Sequence, residues 1–262
     1  MERTLFNART VADIEFCLDR GDNIEDIRGT RQKTPFIHYC RYGNIDIVFT
    51  LIKRGCNINY RDRFKRTGLN YICWFGHYDL LVRLLQIPQL HESINPINPK
   101  FRPPLMDCCA GGHSDIFDVL IENGADVNVT RKYEGSPLHT AVFHGNGYIV
   151  RKLLDNGANL NVLNNRGNTC IHFLHLSLEC LDILLCYGAF TLIDKQNDSG
   201  CTPLHFAVVG RSLDIVQRLL DCGAHTNIPH DGGNTPLMTA RSIYDDGDVM
   251  ATIITLLEQK SN

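Results

Sequence analysis

The chain has 262 residues, of which 44% are hydrophobic and 21% are charged, and its formal net charge is −3 at pH 7. This balance gives no overall field that would draw the chain to nucleic acid or to a membrane surface, and no run of about 18 apolar residues predicts a membrane-spanning helix. The first residues mix Glu2, Arg3 and Arg9 with few apolar side chains, which excludes a secretory signal there.

Seven similar segments follow one another along the chain. Their starting residues lie 33 positions apart, except for one interval of 36. The starts are Thr34, Thr67, Pro103, Ser136, Thr169, Thr202 and Thr235. We predict a degenerate N-terminal capping repeat at residues 1–29, six repeats over 30–234 and a C-terminal capping repeat at 235–262, each packing on its neighbours.

The unit that starts at Thr67 departs most from this pattern. Its second helix runs into Pro88, and several further prolines precede the next start. Because proline cannot continue a helix, we predict an irregular finger at residues 88–104. The sequence leaves open whether this finger is a hinge or an additional contact.

The unit that starts at Thr202 shows how one repeat is built. Thr202 is a candidate helix cap, and Pro203 suits the first helical position because its missing N–H would be unpaired there. Gly223 favours a left-handed helix end. Between them, a second helix is predicted whose apolar residues, three and four apart, share one face: Ile215, Val216, Leu219 and Leu220.

Two units open on a recognisable motif. Ser-Pro-Leu-His-Thr-Ala begins at Ser136, and Thr-Pro-Leu-His-Phe-Ala begins at Thr202. With a period of 33 residues, these motifs resemble the ankyrin-repeat family over nearly the whole chain. The resemblance implies an all-α solenoid of stacked helix-turn-helix units with hairpin fingers. It also implies a non-catalytic module that binds other proteins.

The histidines and cysteines do not suggest a metal or catalytic centre. His139, His172 and His205 recur at intervals of 33, and the resemblance implies that each bonds backbone and a Thr hydroxyl to fix its turn. The eleven cysteines mostly occupy positions for small or apolar residues, so we expect free thiols in the cytoplasm or nucleus. We expect no cofactor and no metal.

The family resemblance places partner binding on the concave side, at finger tips and first-helix ends. These positions lie one to four residues before each start and seven or eight after it. The candidate residues are Arg31, Lys33, Arg41, Tyr42, Arg63, Phe64, Arg66, Trp74, Phe75, Arg102, Lys132, Tyr133, Phe143 and His144. They are basic and aromatic, whereas later repeats carry small, polar and mildly acidic residues there.

We therefore expect a monomer that binds an acidic protein segment with apolar anchors, centred on Arg41, Arg66, Trp74 and Phe75. Aromatic and Arg side chains dominate binding hot spots. The competing interpretation packs Trp74 and Phe75 under the finger at 88–104 and leaves the basic tips solvated. We favour binding because consecutive aromatic residues cannot both face the core of one helix.

Two other functions stay open. The basic and aromatic positions also suit a phosphorylated small ligand or single-stranded nucleic acid, which the acidic pI disfavours. The other is a substrate-recognition adaptor of a ubiquitin ligase, a role that some ankyrin proteins have, although no docking box is visible. The resemblance further implies possible hydroxylation of the finger asparagines Asn128, Asn161 and Asn227.

Overall fold

The computed structural model of the chain describes residues 4–98, 100–131, 133–243 and 248–260, with the backbone alone at 174–176. The chain divides into two compact units, Met1–Asp126 and Val127–Asn262. In the described residues, the regular elements of both are α-helices and short 3-10 helices. The all-α fold class predicted from the sequence is confirmed.

The first unit consists of helices that succeed one another as antiparallel pairs. They are α1 (Val11–Asp19), α2 (Pro35–Tyr42), α3 (Ile45–Lys53), α4 (Gly68–Phe75), α5 (Tyr78–Leu84), a 3-10 helix (Pro88–Ser93), α6 (Pro104–Gly111) and α7 (Ser114–Glu122). First helices pack on first helices, α2 against α4 and α4 against α6. Second helices α5 and α7 pack likewise.

The second unit repeats this arrangement. Its elements are α8 (Pro137–Phe143), α9 (Gly147–Asp155), a 3-10 helix (Cys170–Leu176), α10 (Leu178–Cys186), a 3-10 helix (Ala189–Leu192), α11 (Pro203–Val209), α12 (Leu213–Asp221), α13 (Pro236–Ser242) and α14 (Asp248–Lys260). The predicted apolar face of α12 is buried. The boundaries at 1–29, 30–234 and 235–262 remain predictions.

A 3-10 helix replaces the first α-helix in the unit that starts at Thr169. The second helix of this unit begins nine residues after the start, at Leu178, whereas in the next unit Leu213 lies eleven residues after Thr202. A 3-10 helix rises about 2.0 Å per residue against about 1.5 Å in an α-helix. With seven residues each, the 3-10 helix is therefore longer than α11, while its connection to the second helix is two residues shorter.

One histidine in each of three repeats joins that repeat to the next finger. At His172, Nδ1 accepts the backbone N–H of Thr169 at 3.1 Å and lies 2.9 Å from the Thr169 hydroxyl. Since Nδ1 accepts, the proton is on Nε2, which donates to the carbonyl of Cys201 at 3.2 Å. His139 and His205 make the same set of contacts, which confirms the expected structural role.

An amide takes over this role in the first unit. The Thr67 N–H donates to Oδ1 of Asn70 at 2.8 Å, and Nδ2 of Asn70 donates to the carbonyl of Arg102 at 2.8 Å. The connection spans three more residues than the histidine connections do. This difference equals the three extra residues in the interval of 36 between Thr67 and Pro103. The extra residues therefore lie between Asn70 and Arg102.

The fingers are narrow turns closed by backbone hydrogen bonds. In the first finger, Arg28 and Lys33 form an antiparallel bridge with N–H to carbonyl distances of 3.0 and 3.1 Å. The next finger bonds to it, because the Arg63 N–H donates to the carbonyl of Arg31 at 3.0 Å. These bonds fix the backbone from which the basic side chains project.

The predicted irregular finger is tied to the turn that follows α7. Its 3-10 helix at Pro88–Ser93 is followed by Asn95, whose Nδ2 donates to the carbonyl of Gly124 at 2.6 Å. Oδ1 of Asn95 accepts the backbone N–H of Asp126 at 3.0 Å. Asn128 makes the equivalent bonds to Gly157 and Asn159.

The cysteines serve mainly as core residues. All eleven are free, and eight are buried. Burial raises the pKa of the Cys40 and Cys73 thiols well above its usual range, so both are protonated at neutral pH. No helix in the described ranges is long and apolar enough to cross a membrane.

The buried repeat histidines should make the protein sensitive to acid. Burial lowers the pKa of His172 to about 4 from 6.5, so between these values the unfolded chain binds the additional proton and stability falls as pH falls. Replacing His172 by Asn, the residue used at position 70, should flatten this dependence. Urea denaturation across pH 4–6.5 would measure it.

The matched control is Ile215→Val, which changes a buried side chain of α12 without changing a titratable group. The control should keep the pH dependence of the parent protein. Equal slopes for the parent and the His172→Asn variant would contradict the assignment, whatever the absolute loss of stability.

Candidate functional site

The ends of two first helices are fixed by histidines from the following repeats. Gly43 and Gly76 end α2 and α4 in the left-handed conformation. Nε2 of His77 lies 2.8 Å from the carbonyl of Arg41, and Nε2 of His113 lies 3.1 Å from the carbonyl of Trp74. These bonds position the backbone of two candidate binding residues.

This role of His77 and His113 was not predicted from the sequence. Each histidine ring fills the space beside a preceding glycine, because a Cβ at Gly43 would lie 2.5 Å from Nδ1 of His77. The same packing occurs between Gly76 and His113. The sequence does carry a signal for this role, because the dipeptide Gly-His occurs at Gly76 and again 36 residues later at Gly112.

Three of the predicted arginines lie over aromatic rings of the first unit. The guanidinium carbon of Arg31 is 5.7 Å from the ring centre of Phe64, and that of Arg66 is 5.1 Å from Trp74. Arg41 lies 5.2 Å from Phe75 and 5.9 Å from the neighbouring Tyr42. We call these seven residues the basic-aromatic face: Arg31, Arg41, Tyr42, Phe64, Arg66, Trp74 and Phe75.

The aromatic residues of this face are accessible to a partner. Tyr42 is 63% exposed, Phe64 54% and Phe75 41%, whereas Trp74 is half-buried. Arg63 is also exposed, beside Phe64. The structure thus brings together within one unit seven of the predicted residues, and their ring-cation pairs offer both charge and apolar area.

Lys33 is buried rather than projecting from a finger tip. Its Nζ lies 4.5 Å from the ring centre of Tyr71, and only 8% of the residue is exposed. Burial, helped by Arg41 and Arg31, lowers the pKa of Lys33 to about 8. The Tyr71 hydroxyl donates to Oδ2 of Asp62 at 2.6 Å, and burial and this bond raise its pKa to about 12.

Arg102 does not belong to an exposed binding surface, which corrects the prediction from sequence. It is 7% exposed, and its Nε donates to Oδ1 of Asp107 at 2.7 Å. Asp107 is completely buried and also accepts a bond from Nδ2 of Asn70 at 2.7 Å. Arg102 turns inward because it neutralises this carboxylate; Arg66 reaches the same oxygen at 3.5 Å.

The remaining candidates belong to the second unit. Tyr133 is 71% exposed, and Phe143 and His144 are exposed at the end of α8. Lys132 lies outside the described residues. The sequence analysis missed Phe173, whose ring centre lies 6.0 Å from that of Phe143, although its position four residues after a repeat start is equivalent to that of Phe206.

The titratable groups of the first helices are held in neutral or paired forms. Burial lowers the pKa of His139 and His205, and the buried Cys108 and Cys170 have raised pKa values. Among the side chains that the structure describes, no group of three or more His, Cys, Asp or Glu could hold a metal ion.

Comparisons with known proteins agree with this architecture. The family model described as ankyrin repeats (3 copies) matches residues 36–131, 105–193 and 175–247, which together span more than half of the chain.

Curated relatives match through part of their length. Human inversin is 29% identical over 159 residues, or 60% of this chain and 15% of inversin. A probable E3 ubiquitin-protein ligase of Oryza sativa subsp. japonica is 29% identical over 161 residues, or 61% of this chain and 31% of the ligase. A putative ankyrin repeat protein of fowlpox virus is 34% identical over 179 residues, or 62% and 50% of the two chains. The chain spans at most half the length of these three relatives.

Lys33 should make a measurable contribution to the pH dependence of stability. The folded protein releases the Lys33 proton near pH 8 and the unfolded chain near 10.5, so the stability contributed by this residue rises with pH across that window. The variant Lys33→Met should be more stable than the parent below pH 8, and this advantage should shrink by pH 10.5. Urea denaturation at both ends of the window would measure the difference.

Lys53→Met is the matched control, because Lys53 is exposed at the end of α3. It should leave the difference from the parent constant with pH. A constant difference for Lys33→Met as well would show that Lys33 keeps its ordinary pKa in the folded protein.

Asp107 should be among the most sensitive positions for stability. The substitution Asp107→Ala leaves the buried Arg102 without its carboxylate, which should cost about 3–5 kcal/mol in the free energy of unfolding. The exposed Asp79→Ala should change it by about 0.5 kcal/mol or less. Thermal or urea denaturation would compare them, and a similar small effect for both would contradict the buried ion pair.

Proposed function

The chain belongs to the ankyrin-repeat family, and we propose that it is a protein-recognition module whose basic-aromatic face binds an acidic segment of another protein. Ankyrin repeats generally mediate protein–protein interaction and are typically non-catalytic. The proposal locates this general activity in the first unit. It rests on one observation, the arginines that lie over exposed aromatic rings.

The charges of the first unit favour an acidic partner. Within the part of the chain that the structure describes, Arg31, Arg41 and Lys33 have no ion pair with an acidic side chain, whereas Arg28 pairs with Asp26 at 2.8 Å. A carboxylate from a partner would meet unneutralised cations. Such contacts guide association and fix the orientation of the partner.

The rings supply the apolar part of the interaction. Phe64 and Phe75 each lie under a guanidinium and retain exposed area. An apolar side chain of the partner can pack on the open part of a ring while its acidic neighbours reach the arginine above. Aromatic residues with Arg neighbours are the usual composition of binding hot spots, which supports a segment that alternates acidic and apolar residues.

A role as a substrate-recognition adaptor in ubiquitin ligation is the second candidate. The observation that favours it is the match to the rice ligase and to an Arabidopsis thaliana E3 ubiquitin-protein ligase, which is 28% identical over 192 residues. These matches cover 31% and 12% of the two ligases. In such a role the basic-aromatic face would hold the substrate.

Combined substitution of the face should abolish capture of a specific partner. The variant Arg41→Glu, Arg63→Glu, Phe75→Ala removes charge and apolar contact together. Arg66 is retained because its guanidinium lies 3.5 Å from the buried Asp107. Affinity capture from cell lysate with mass spectrometry would compare this variant with the parent, after circular dichroism shows that both are folded.

The control variant Arg151→Glu, Phe190→Ala makes the same kinds of change on exposed residues of the second unit. Proteins that the parent and the control retain, and the face variant loses, support the proposal. For such a protein, charge reversal should slow association, and Phe75→Ala should weaken binding by about 1–2 kcal/mol. Equal capture by all three proteins would overturn the location. Recovery of nucleic acid alone, with a steep dependence on salt, would favour the nucleic-acid alternative.

A further inference from the structure

A cavity of about 380 Å³ opens beside the basic-aromatic face of the first unit. Its walls come from the N-terminal segment, the first finger and α2. The side chains that matter are Phe6, Arg28, Arg31, Lys33, His38 and Arg41. One water needs roughly 10–15 Å³ of such space, so the cavity can take a ligand larger than a small anion.

The cavity carries more positive charge than its surroundings neutralise. Arg28 pairs with Asp26 and lies 5.1 Å from the ring centre of Phe6. Arg31, Lys33 and Arg41 have no acidic ion-pair partner in the described residues. The lowered pKa of Lys33 reflects this crowding, because Arg41 and Arg31 add to the effect of burial and Asp62 offsets only part of it.

Two rings form the apolar side of the cavity. The ring centres of Phe6 and His38 lie 5.3 Å apart at an angle of 77°. Burial, with Lys33 and Arg41 nearby, lowers the pKa of His38, so this side chain is neutral at pH 7 and serves as an aromatic wall. Both residues are half-buried, so each retains exposed area that a third ring can contact.

The cavity and the basic-aromatic face share two residues. Arg31 and Arg41 line the cavity, while Arg41 also lies over the exposed rings of Tyr42 and Phe75. A segment lying on the face would therefore pass the cavity opening. One of its side chains can enter while its neighbours remain on the face.

We infer that this cavity holds the phosphorylated tyrosine of a partner segment, with the phosphoryl group at Arg31, Lys33 and Arg41 and the phenyl ring against Phe6 and His38. The inference rests on the proposed function, since it identifies a feature of the segment that the face binds. A phosphoryl group carries about −1.5 to −2 charges and three acceptor oxygens at pH 7. It therefore offers a separate acceptor oxygen to each of three cations, whereas a carboxylate has two oxygens.

The test uses the capped pentapeptide Ala-Ala-phosphotyrosine-Ala-Ala and isothermal titration calorimetry with the whole chain. Its tyrosine and phosphoserine counterparts, inorganic phosphate and adenosine monophosphate are titrated in parallel. We expect the phosphotyrosine peptide to bind about tenfold or more tightly than each of the others, because it alone satisfies both the cations and the rings. Equal binding of the phosphoserine peptide or of inorganic phosphate, or tighter binding of the nucleotide, would overturn the inference.

Two variants locate the binding, with one control. Arg31→Gln changes an exposed finger residue, and Lys33→Met removes the buried amine. Each variant should bind the phosphotyrosine peptide about tenfold more weakly than the parent does. Lys53→Gln removes an equal charge from α3, outside the cavity, and should leave the affinity unchanged. Equal weakening by all three would indicate a general effect of charge and would also overturn the inference.

Failure of this inference can be separated from failure of the proposed function. If the pentapeptide does not bind, but partner capture is still lost in the Arg41→Glu, Arg63→Glu, Phe75→Ala variant, the cavity assignment is wrong and the face stands. If Arg31→Gln and Lys33→Met weaken the pentapeptide while the face variant captures the same proteins as the parent, the face is wrong. Without a partner segment on the face, the cavity has no phosphotyrosine of such a segment to hold. This outcome therefore overturns the inference as well.

Discussion

Four of the repeats depend on one side chain that bonds in two directions at the start of the first helix. In the second unit, a neutral imidazole such as His172 accepts the N–H of its own repeat and donates to the carbonyl of the next finger. One ring therefore fixes both the beginning of a helix and the distance to the neighbouring turn. Because an imidazole has one acceptor and one donor nitrogen in its neutral form, the arrangement selects a single tautomer and disfavours protonation.

The fold could be predicted from the sequence because its determinants are local and recur at a fixed interval. The spacing of 33 residues located the helix starts, and the family resemblance assigned His139, His172 and His205 a structural role that their bonds confirm. The 3-10 helix at Cys170–Leu176 was not predicted, since the unit that starts at Thr169 shares its period with units whose first helix is an α-helix.

The candidate site was less predictable than the fold. The direction of a long side chain depends on residues that lie far along the chain or in another helix. Arg31 and Arg102 occupy similar positions before a repeat start, yet the first is exposed and the second is buried. The difference is Asp107, a carboxylate in the core that attracts Arg102. Lys33 likewise turns onto Tyr71, 38 residues further along the chain. A pattern of basic residues cannot distinguish these outcomes.

The amide at position 70 has a consequence for how the chain responds to its surroundings. Asn70 makes the same two connections as the repeat histidines, to Thr67 and to Arg102, but a carboxamide gains no proton in mildly acidic water. The helix that bears Trp74 and Phe75 therefore begins on a connection that acid does not break. The second unit relies on imidazoles for the same connection, so protonation can break this connection there but not at Asn70.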